Sequence, residues 1–324
     1  MKKILLSAGL FLTLFSCQNE ETLNTNTDGQ AVAERGCATY EVLQAQLAAD
    51  PSLAIRMNQI EEFTQKAKLT NKLVNGKIVI PVVVNVLYRT AAENISDAQI
   101  QSQITVLNKD FTATNSDFSS TPSLFSGVAA NVGITFELVA INRKSTTKTS
   151  WSSTDRQNNT MKKSTSGGIN PTSPSTNLNI WIVSSMPSTG GSILGYAQFP
   201  GGSLSTDGVV LAHTCTGTIG TASAPFNLGR TATHEVGHWM NLRHIWGDAN
   251  CGSDLVADTP THNAANTGVP TYPHLSTCTG TPVEMTMNYM DYTDDRGMYM
   301  FTNGQKARMA ALFVSGGARS AFGI

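Results

Sequence analysis

The sequence predicts an α/β (α+β) fold, in which helices pack on a mixed, twisted β-sheet, and three observations support this class. Runs rich in β-branched residues predict strands, of which KIVIPVVVNVLYR (77–89) is the clearest. In ISDAQIQSQITVLNKDF the apolar residues fall on one face of a helix, with Ser96 or Asp97 as its cap. Strands and helices alternate over about 250 residues, which argues against an all-α or an all-β fold.

The individual elements follow from local signals. Residues 39–69 have apolar residues at helical spacing and predict one or two short helices. Pro81 predicts that the first strand is interrupted there or lies at the edge of the sheet. Thr302 and Gln305 match a capping box and predict a closing helix near the carboxyl terminus. Further strands are predicted for VGITFELVAINRK, NLNIWIVSS, GYAQFPGG and DGVVLAHT.

The composition limits the classes of partner. The chain has 324 residues, of which 40% are hydrophobic, and this is enough for one large core or two modest ones. Its formal net charge is -1, which gives no basis for binding to nucleic acid or to an anionic surface. We therefore expect a globular protein, a monomer that binds no nucleic acid.

The amino terminus predicts export. Lys2 and Lys3 precede an apolar run, residues 4–15, that is too short to span a bilayer. The run leads into LFSC, which resembles a bacterial lipobox and makes Cys17 the candidate for lipidation. Residues 1–17 are therefore interpreted as a lipoprotein-type signal peptide, and the alternative is simple cleavage with free secretion. We expect either a lipoprotein of the outer membrane or cell surface, with the lipid as its only membrane contact, or a secreted protein.

The segment TATHEVGHWMNLRHIWGD (231–248) predicts a metal site. On a helix, His234 and His238 lie on one face and can offer nitrogens to a single ion, with Glu235 beside them. His244 lies six residues beyond His238, about 9 Å along a straight helix, so it can bind the same ion only if the helix ends and the chain turns back. Asn241 is the residue at which we expect this turn, because asparagine tolerates a left-handed conformation.

Chance does not explain this cluster. With six histidines in the chain, a random order of the same residues gives H-E-x-x-H about once in 300 sequences. A structural zinc site is the stronger alternative, but such sites close with four protein ligands and favour cysteine. Three histidines leave one position open for water, which favours catalysis.

These motifs resemble those of a known group of enzymes. HEVGHWMNLRH resembles the extended zinc motif of the metzincins, and MNYMDY resembles their Met-turn. Together with GYAQFPGG, CGSDLVADTP and MFTNGQKARM, they make the chain similar to the pappalysin family, in its bacterial, ulilysin-like branch, over about residues 77–315. The resemblance implies a metzincin-type zincin with an active-site helix and a smaller C-terminal subdomain, which contains the Met-turn and the closing helix. It also implies a zinc-dependent endopeptidase that cleaves proteins or peptides with metal-activated water.

The resemblance also assigns roles to individual residues. Glu235 becomes the general base, Met290 the methionine beneath the metal, and Tyr292 a neutral group that stabilises the tetrahedral intermediate. Asn241 replaces the usual metzincin glycine at the turn. The implied zinc ligands are His234, His238 and His244.

The loop 247–260 is a candidate calcium site. It is rich in aspartate, and carboxylate oxygens are ligands that calcium prefers. Ulilysin-like enzymes bind calcium in this neighbourhood, so Asp254, Asp258 and Thr259 become the first candidates. The alternative is that these aspartates cap turns.

The cysteines leave alternatives open. After Cys17 four remain, which allow three pairings. Cys251 and Cys278 flank one irregular stretch and are expected to form a disulfide. Cys37 either pairs with Cys215 or, as in related zymogens, occupies the open zinc position as a cysteine switch.

Four segments are predicted along the chain. After the signal peptide, residues 18–36 are interpreted as a flexible tether and residues 37–76 as a pro-segment, with a cleavage site within 66–77. Residues 77–324 form the metzincin catalytic domain, with an upper subdomain of about 77–240 and a lower one of about 241–324.

Substrate preference is not predicted. GYAQFPGG resembles the upper-rim strand of the metzincin cleft, to which a peptide adds as an antiparallel strand. Asp294 and Asp295 lie near the expected primed-side pocket, but Arg296 and Gly297 follow, and a cysteine pair of the relatives is absent. Preference for a basic residue is therefore left open. The alternative function is a zinc-containing surface binding protein with a vestigial protease fold, which would have no need of Glu235.

Overall fold

The computed structural model describes residues 34–69 and 78–322. The helices within these residues are α1 (Thr39–Ala49), α2 (Ser52–Leu69), α3 (Asp97–Phe111), α4 (Ser123–Ser126), α5 (Ser153–Gln157), α6 (Arg230–Trp239) and α7 (Asn303–Ala310). The strands are β1 (Gly36–Cys37), β2 (Ile78–Tyr88), β3 (Ala129–Ala130), β4 (Ile134–Ser145), β5 (Leu178–Val183), β6 (Met186–Ser188), β7 (Gly191–Ala197), β8 (Val209–Ala212) and β9 (Phe301–Thr302).

The main sheet is mixed, as the sequence predicts. Its order is β1-β7-β8-β5-β2-β4, with β6 paired to β7. The pairs β2–β4, β2–β5 and β5–β8 are parallel, whereas β7 runs antiparallel to β8. Strand β7, which ends with the GYA of GYAQFPGG, is antiparallel to β8 on one side, and β1 pairs with it in parallel on the other.

The expectation for Pro81 is wrong. Strand β2 is continuous from Ile78 to Tyr88 and lies inside the sheet, between β4 and β5. Pro81 is tolerated because β5 pairs only with Val82–Val86, so the missing N–H of the proline lies outside that ladder.

Both faces of the sheet are covered. Helices α3 and α6 pack on one face, and α3 begins as predicted, with Ser96 accepting a hydrogen bond from the backbone N–H of Gln99. On β8, Val209 and Leu211 join the core beneath these helices, while Val210 and Ala212 join a second core around Trp181. This alternation is what a strand buried on both faces requires.

The carboxyl-terminal part has little regular structure and is held by specific links. Helix α7 begins with the predicted capping box, formed by Thr302 and Gln305. The predicted disulfide between Cys251 and Cys278 is formed. Strand β9 pairs with β3, which ties this part to the upper half of the molecule.

Helices α1 and α2, which lie in the predicted pro-segment, pack against the rest of the chain. Helix α1 contacts β7, and α2 contacts α7. The folded chain begins earlier than the predicted tether boundary at residue 36, because Arg35 is 3% exposed and Gly36 belongs to β1. Most of the tether and the signal peptide, including Cys17, lie outside the described residues. None of the helices in the described ranges is long and apolar enough to cross a membrane.

Candidate active site

Three histidine side chains converge at the carboxyl end of α6. The Nε2 atom of His238 lies 3.1 Å from His234 Nε2 and 3.1 Å from His244 Nε2. The Sγ atom of Cys37 joins them, so that the four atoms lie within 4.8 Å of one another. In residues 34–69 and 78–322, no other three histidine, cysteine or acidic side chains form such a group.

The chain turns back between the second and third histidines. Helix α6 ends at Trp239, and the backbone N–H of Leu242 donates to the carbonyl of Gly237 at 2.9 Å. Asn241 has a φ of 69°, in the left-handed region that the sequence predicts for it. The turn brings His244 back to the other two rings.

The second nitrogen of each ring fixes its tautomer. Nδ1 of His234 lies 2.7 Å from the carbonyl oxygen of Tyr289, and Nδ1 of His238 lies 2.8 Å from that of Leu242. Nδ1 of His244 pairs with a carboxylate oxygen of Asp248. Because carbonyl and carboxylate oxygens only accept hydrogen bonds, each Nδ1 carries the proton and each Nε2 is left with a lone pair.

This donor set fits a zinc ion. Burial, with His238 and His244 close by, holds the pKa of His234 well below its usual range. Burial and His244 lower the pKa of His238 to about 3. Neutral imidazoles whose buried lone pairs face one another are unfavourable unless a cation lies between them.

Glu235 points its carboxyl group to the same space. Its Oε2 atom accepts hydrogen bonds from Thr39 Oγ1 at 3.0 Å and from Cys37 Sγ at 3.5 Å. Burial raises the pKa of Glu235 to about 8. Gly195 on β7 makes room for this side chain, since a Cβ atom there would lie 2.8 Å from Glu235 Cγ.

Met290 lies directly beneath α6. Its side chain is fully buried, and a Cβ atom added to Gly237 would lie 2.5 Å from its Sδ. Glycine at the fourth position of HEVGH therefore lets the helix approach the Met-turn closely. The backbone N–H of Ile245 donates to the carbonyl of Met290 at 3.1 Å, which links this turn to the segment of the third histidine.

Aromatic rings enclose the third histidine. Trp246 stacks on His244, with ring centroids 4.4 Å apart, and Tyr292 meets His244 edge to face at 5.0 Å. The Tyr292 hydroxyl donates to the carbonyl oxygen of Cys37 at 3.4 Å. Burial raises the pKa of Tyr292 well above its usual range, so the phenol keeps its proton.

The pairing of Cys37 with Cys215 does not occur. Both are free thiols, and Cys215 is buried. Burial and the adjacent Glu235 raise the pKa of Cys37 well above its usual range. Its thiol lies among the three histidine side chains, so of the two alternatives for Cys37 the switch is the one still open.

Arg35 fills a buried pocket two residues before this thiol. Its Nη2 lies 2.6 Å from Asp295 Oδ1, its Nη1 donates to Thr231 Oγ1 at 2.9 Å, and its Nε donates to the carbonyl of Thr293 at 3.2 Å. The guanidinium lies over the ring of Phe226 at 5.0 Å. The carboxylate of Asp295 and the ring of Phe226 together suit a planar cation.

The acidic loop does not bring its three candidates together. Asp254 accepts hydrogen bonds from the Thr259 hydroxyl and from the backbone N–H of Val256. Asp258 instead accepts from Thr302 Oγ1 and from the backbone N–H of Gly304, at the start of α7. Asp254 and Thr259 are thus neighbours, while Asp258 acts as a helix cap.

Several residues of the site are not predicted from the sequence. Thr39 and Gly195 contact Glu235 across long separations in the chain. Asp295 was expected near the primed-side pocket, but its contact with Arg35 was not. The sequence gives a weak indication of two further residues. Gly237 lies inside HEVGH, and Arg35 lies in ERGC, two residues before the predicted switch.

The fold and the histidine site together define a zinc metallopeptidase of the metzincin type. Residues 172–314 match the family model described as pregnancy-associated plasma protein-A. An extracellular metalloprotease of Pyricularia oryzae is 36% identical over 231 residues, which are 69% of this chain and 70% of the relative. One from Arthroderma benhamiae is 30% identical over 285 residues, 86% of this chain and 90% of the relative. The chain therefore belongs to the pappalysin family.

Solved structures support the same assignment. Mature mirolysin of Tannerella forsythia, in complex with a cleaved peptide, is 44% identical with a TM-score of 0.72, over 76% of this chain and 96% of that chain. A promirolysin mutant from that organism is 40% identical with a TM-score of 0.79, over 89% of this chain and 96% of that chain. The protein is a secreted zinc metalloendopeptidase, and these matches do not favour the binding-protein alternative.

Proposed function

We propose that His234, His238 and His244 hold the catalytic zinc ion and that Glu235 is the general base. One observation carries this assignment: Cys37 Sγ lies within 4.8 Å of the three nitrogens and 3.5 Å from Glu235 Oε2. The base and the metal ligands thus face the same small space, which a water molecule can enter once the pro-segment leaves. Zinc held there supplies Lewis acidity, which makes water a stronger acid and the scissile carbonyl a better electrophile.

Glu235 carries the proton in both halves of the reaction. Its carboxylate accepts a proton from the attacking water and returns it to the nitrogen of the leaving amine. Tyr292 donates a hydrogen bond to the substrate oxygen as negative charge develops on it.

The experiment compares processed wild-type protein with Glu235→Gln on casein and on a broad peptide library. The variant is expected to lose about 100- to 10,000-fold in kcat while it keeps its zinc content, because glutamine is similar in shape but takes no proton. A chelator should abolish wild-type cleavage, and added zinc should restore it. The assignment is wrong if Glu235→Gln keeps its activity, or if the zinc-loaded wild type cuts no peptide.

The pro-segment, residues 37–76, keeps the precursor latent. Cys37 acts as the zinc switch, and its position beside the three histidines supports this role. Thr39 adds a second contact, since its hydroxyl donates to Glu235 and accepts from the backbone N–H of Ala197 on the rim strand. The precursor thus covers both the metal position and the base. Activation follows cleavage within residues 66–77.

The pocket that holds Arg35 is the primed-side specificity pocket. Its contacts support a preference for arginine or lysine in substrates, since Asp295 is buried and pairs with the guanidinium at 2.6 Å. The stretch 66–77 contains the four lysines Lys66, Lys68, Lys72 and Lys77. The enzyme itself can therefore carry out the activating cleavage.

Asp254 and Thr259 form the centre of a structural calcium site. Asp254 is 5% exposed, and the carbonyl of Val256 lies 2.9 Å from Thr259 Oγ1, so three oxygen groups converge there. Asp258 supports the site from the start of α7. A calcium-selective chelator should lower the melting temperature of wild type but not of Asp254→Asn, and calcium should reverse the effect. A wild type that binds no calcium in a direct titration contradicts this site.

Lipidation of Cys17 would anchor the secreted protein to the outer membrane or cell surface. The LFSC sequence supports this step. Labelling with a tagged fatty acid should mark the wild type but not Cys17→Ser, and an unlabelled wild type would mean free secretion. We also propose that the processed protein is a monomer, which light scattering tests.

A further inference from the structure

A cavity separates the pro-segment helices from the catalytic domain. Its volume is about 280 Å³. Helices α1 and α2 line it with apolar side chains, with the amides of Gln44 and Asn58, and with Glu61. The catalytic domain lines it with Phe199, Asn241, Arg243, Asp248 and Arg308.

This cavity adjoins the catalytic centre. The ring of Phe199 lies 5.5 Å from the ring of His238, and Asp248 pairs with His244. Its domain-side wall is thus continuous with two of the three histidines. The Arg35 pocket has different walls, built around Asp295 and Thr231. The two sites therefore occupy separate parts of the cleft.

Arg308 presents a fixed guanidinium to the cavity. Its side chain is 1% exposed, and its Nε donates to the carbonyl of Asn241 at 2.7 Å. Its Nη1 and Nη2 donate to the two carboxylate oxygens of Glu61 at 2.8 and 2.5 Å. A guanidinium held at Nε with both outer nitrogens turned to one carboxylate is a preformed receptor for that group.

The departure of the pro-segment removes this carboxylate. Asp254 also interacts electrostatically with Arg308, but its hydrogen bonds go to Thr259 and Val256. A guanidinium that is held at Nε and loses its bidentate carboxylate is left with two outer nitrogens free to bind another anion. Peptide substrates occupy the same cleft, so their acidic side chains are the natural replacement.

We propose that Arg308 forms a subsite for an aspartate or glutamate side chain of the substrate, on the amino-terminal side of the scissile bond. The inference rests on the proposed peptidase mechanism. Along β7, Gly36 is level with Ile193 and Cys37 with Gly195, so Arg35 lies before the histidine site and Phe199 of the cavity lies beyond it. We take Arg35 to mark the primed side and the cavity to mark the other. The precursor thus fills two charged sites with complementary residues of its own: Arg35 against Asp295, and Glu61 against Arg308.

The test uses pairs of fluorogenic peptides that differ only by glutamate or glutamine at one position upstream of the scissile bond. Three enzymes are compared after processing: wild type, Arg308→Gln and Arg308→Lys. The two Arg308 variants are expressed from a precursor that carries Glu61→Gln, so that no buried charge is left unpaired during folding. Lys306→Gln is the matched control, because Lys306 is a cation of α7 that does not line the cavity. The zinc content and the melting temperature of each enzyme verify that it is folded.

Wild type and Lys306→Gln should prefer glutamate by about tenfold in kcat/KM at one upstream position. Arg308→Gln should cleave both peptides of that pair equally. Arg308→Lys should keep part of the preference, because lysine retains the charge but lacks the two parallel N–H donors of the guanidinium. Equal cleavage of every pair by wild type, or a preference that survives in Arg308→Gln, overturns the subsite. An enzyme that cuts neither peptide of any pair contradicts the peptidase mechanism instead.

Discussion

Arg35 and Asp295 form a buried ion pair at 2.6 Å, although 260 positions separate them in the chain. The pair lies beside the histidine site, since Cys37 follows Arg35 by two residues and faces the three imidazoles. Residues 35–37 therefore reach both the histidine centre and the adjacent pocket in one short stretch of chain.

This pair predicts the effect of Asp295→Asn on specificity. Processed wild type should cleave a peptide with arginine after the scissile bond much faster than one with leucine there. The variant should lose about tenfold or more of that ratio, because the neutral amide cannot form the charge-assisted hydrogen bond that Asp295 Oδ1 accepts from the guanidinium. The ratio of the two kcat/KM values measures the effect.

Asp294→Asn is the matched control for Asp295→Asn. Asp294 is the neighbouring carboxylate, and the ion pair of Arg35 is with Asp295. The control should keep the arginine preference of wild type. Equal losses in both variants would mean that general negative charge, and not the pocket, attracts basic substrates.

The double contact of the pro-segment predicts graded latency. A precursor with Cys37→Ala should leak activity, because the thiol no longer fills the position between the histidines and Glu235. Thr39→Val alone should leak less, and the double variant should leak most, since Thr39 covers only the base. Cleavage of a fluorogenic peptide before any processing measures each one, with gels to verify that the precursor is intact. A Cys37→Ala precursor as inactive as wild type contradicts the switch.

Local signals in the sequence predict the metal centre and much of the fold. The spacing of His234, Glu235 and His238 predicts one face of a helix, and the position of His244 requires the turn that Asn241 makes with a φ of 69°. Capping residues such as Ser96 and Thr302 are also found where the sequence places them. All of these depend on residues within a few positions of one another, where backbone geometry alone decides the outcome.

Contacts between distant segments could not be predicted in the same way. The partners Arg35 and Asp295, and Glu61 and Arg308, are 260 and 247 positions apart. No periodicity or fixed spacing in the sequence indicates either pair, because the order of the strands in the sheet and the path of the first helices decide which residues meet. Pro81 is a further case: proline predicts an edge strand, yet β2 lies between β4 and β5, and the proline is tolerated there because β5 pairs only with Val82–Val86.

The close approach of Gly237 to Met290 predicts the effect of Gly237→Ala. An added Cβ atom would lie 2.5 Å from Met290 Sδ, so the helix or the Met-turn must shift. The substitution should cost about 1–3 kcal/mol of unfolding free energy and should also weaken zinc binding. Urea unfolding and a zinc competition titration measure the two effects.

A double variant separates this clash from a general helix effect. Adding Met290→Ala to Gly237→Ala removes the atom that the new methyl group meets. The double variant should therefore lose less stability than the sum of the two single losses. Simple additivity would mean that the clash is not the cause.

Lys162 predicts a pH dependence of stability. Its side chain is fully buried, and its Nζ donates to the carbonyl of Thr206 at 2.8 Å. Burial lowers the pKa of Lys162 to about 7. Above pH 7 the folded protein therefore holds fewer protons at this site than the unfolded chain, whose lysine titrates near its usual value. The contribution of Lys162 to the free energy of unfolding should therefore increase as the pH rises above 7. The increase should end near the pKa of the lysine in the unfolded chain.

Lys162→Met lacks this titration, so the comparison isolates it. Between pH 7 and 9 the stability of wild type should increase relative to the variant by about 2 kcal/mol, in urea unfolding of the precursor. Lys163→Met is the control, because Lys163 is exposed and adjacent in sequence, and it should show no such difference. If wild type and Lys162→Met have the same pH slope, the buried lysine keeps its charge throughout this range.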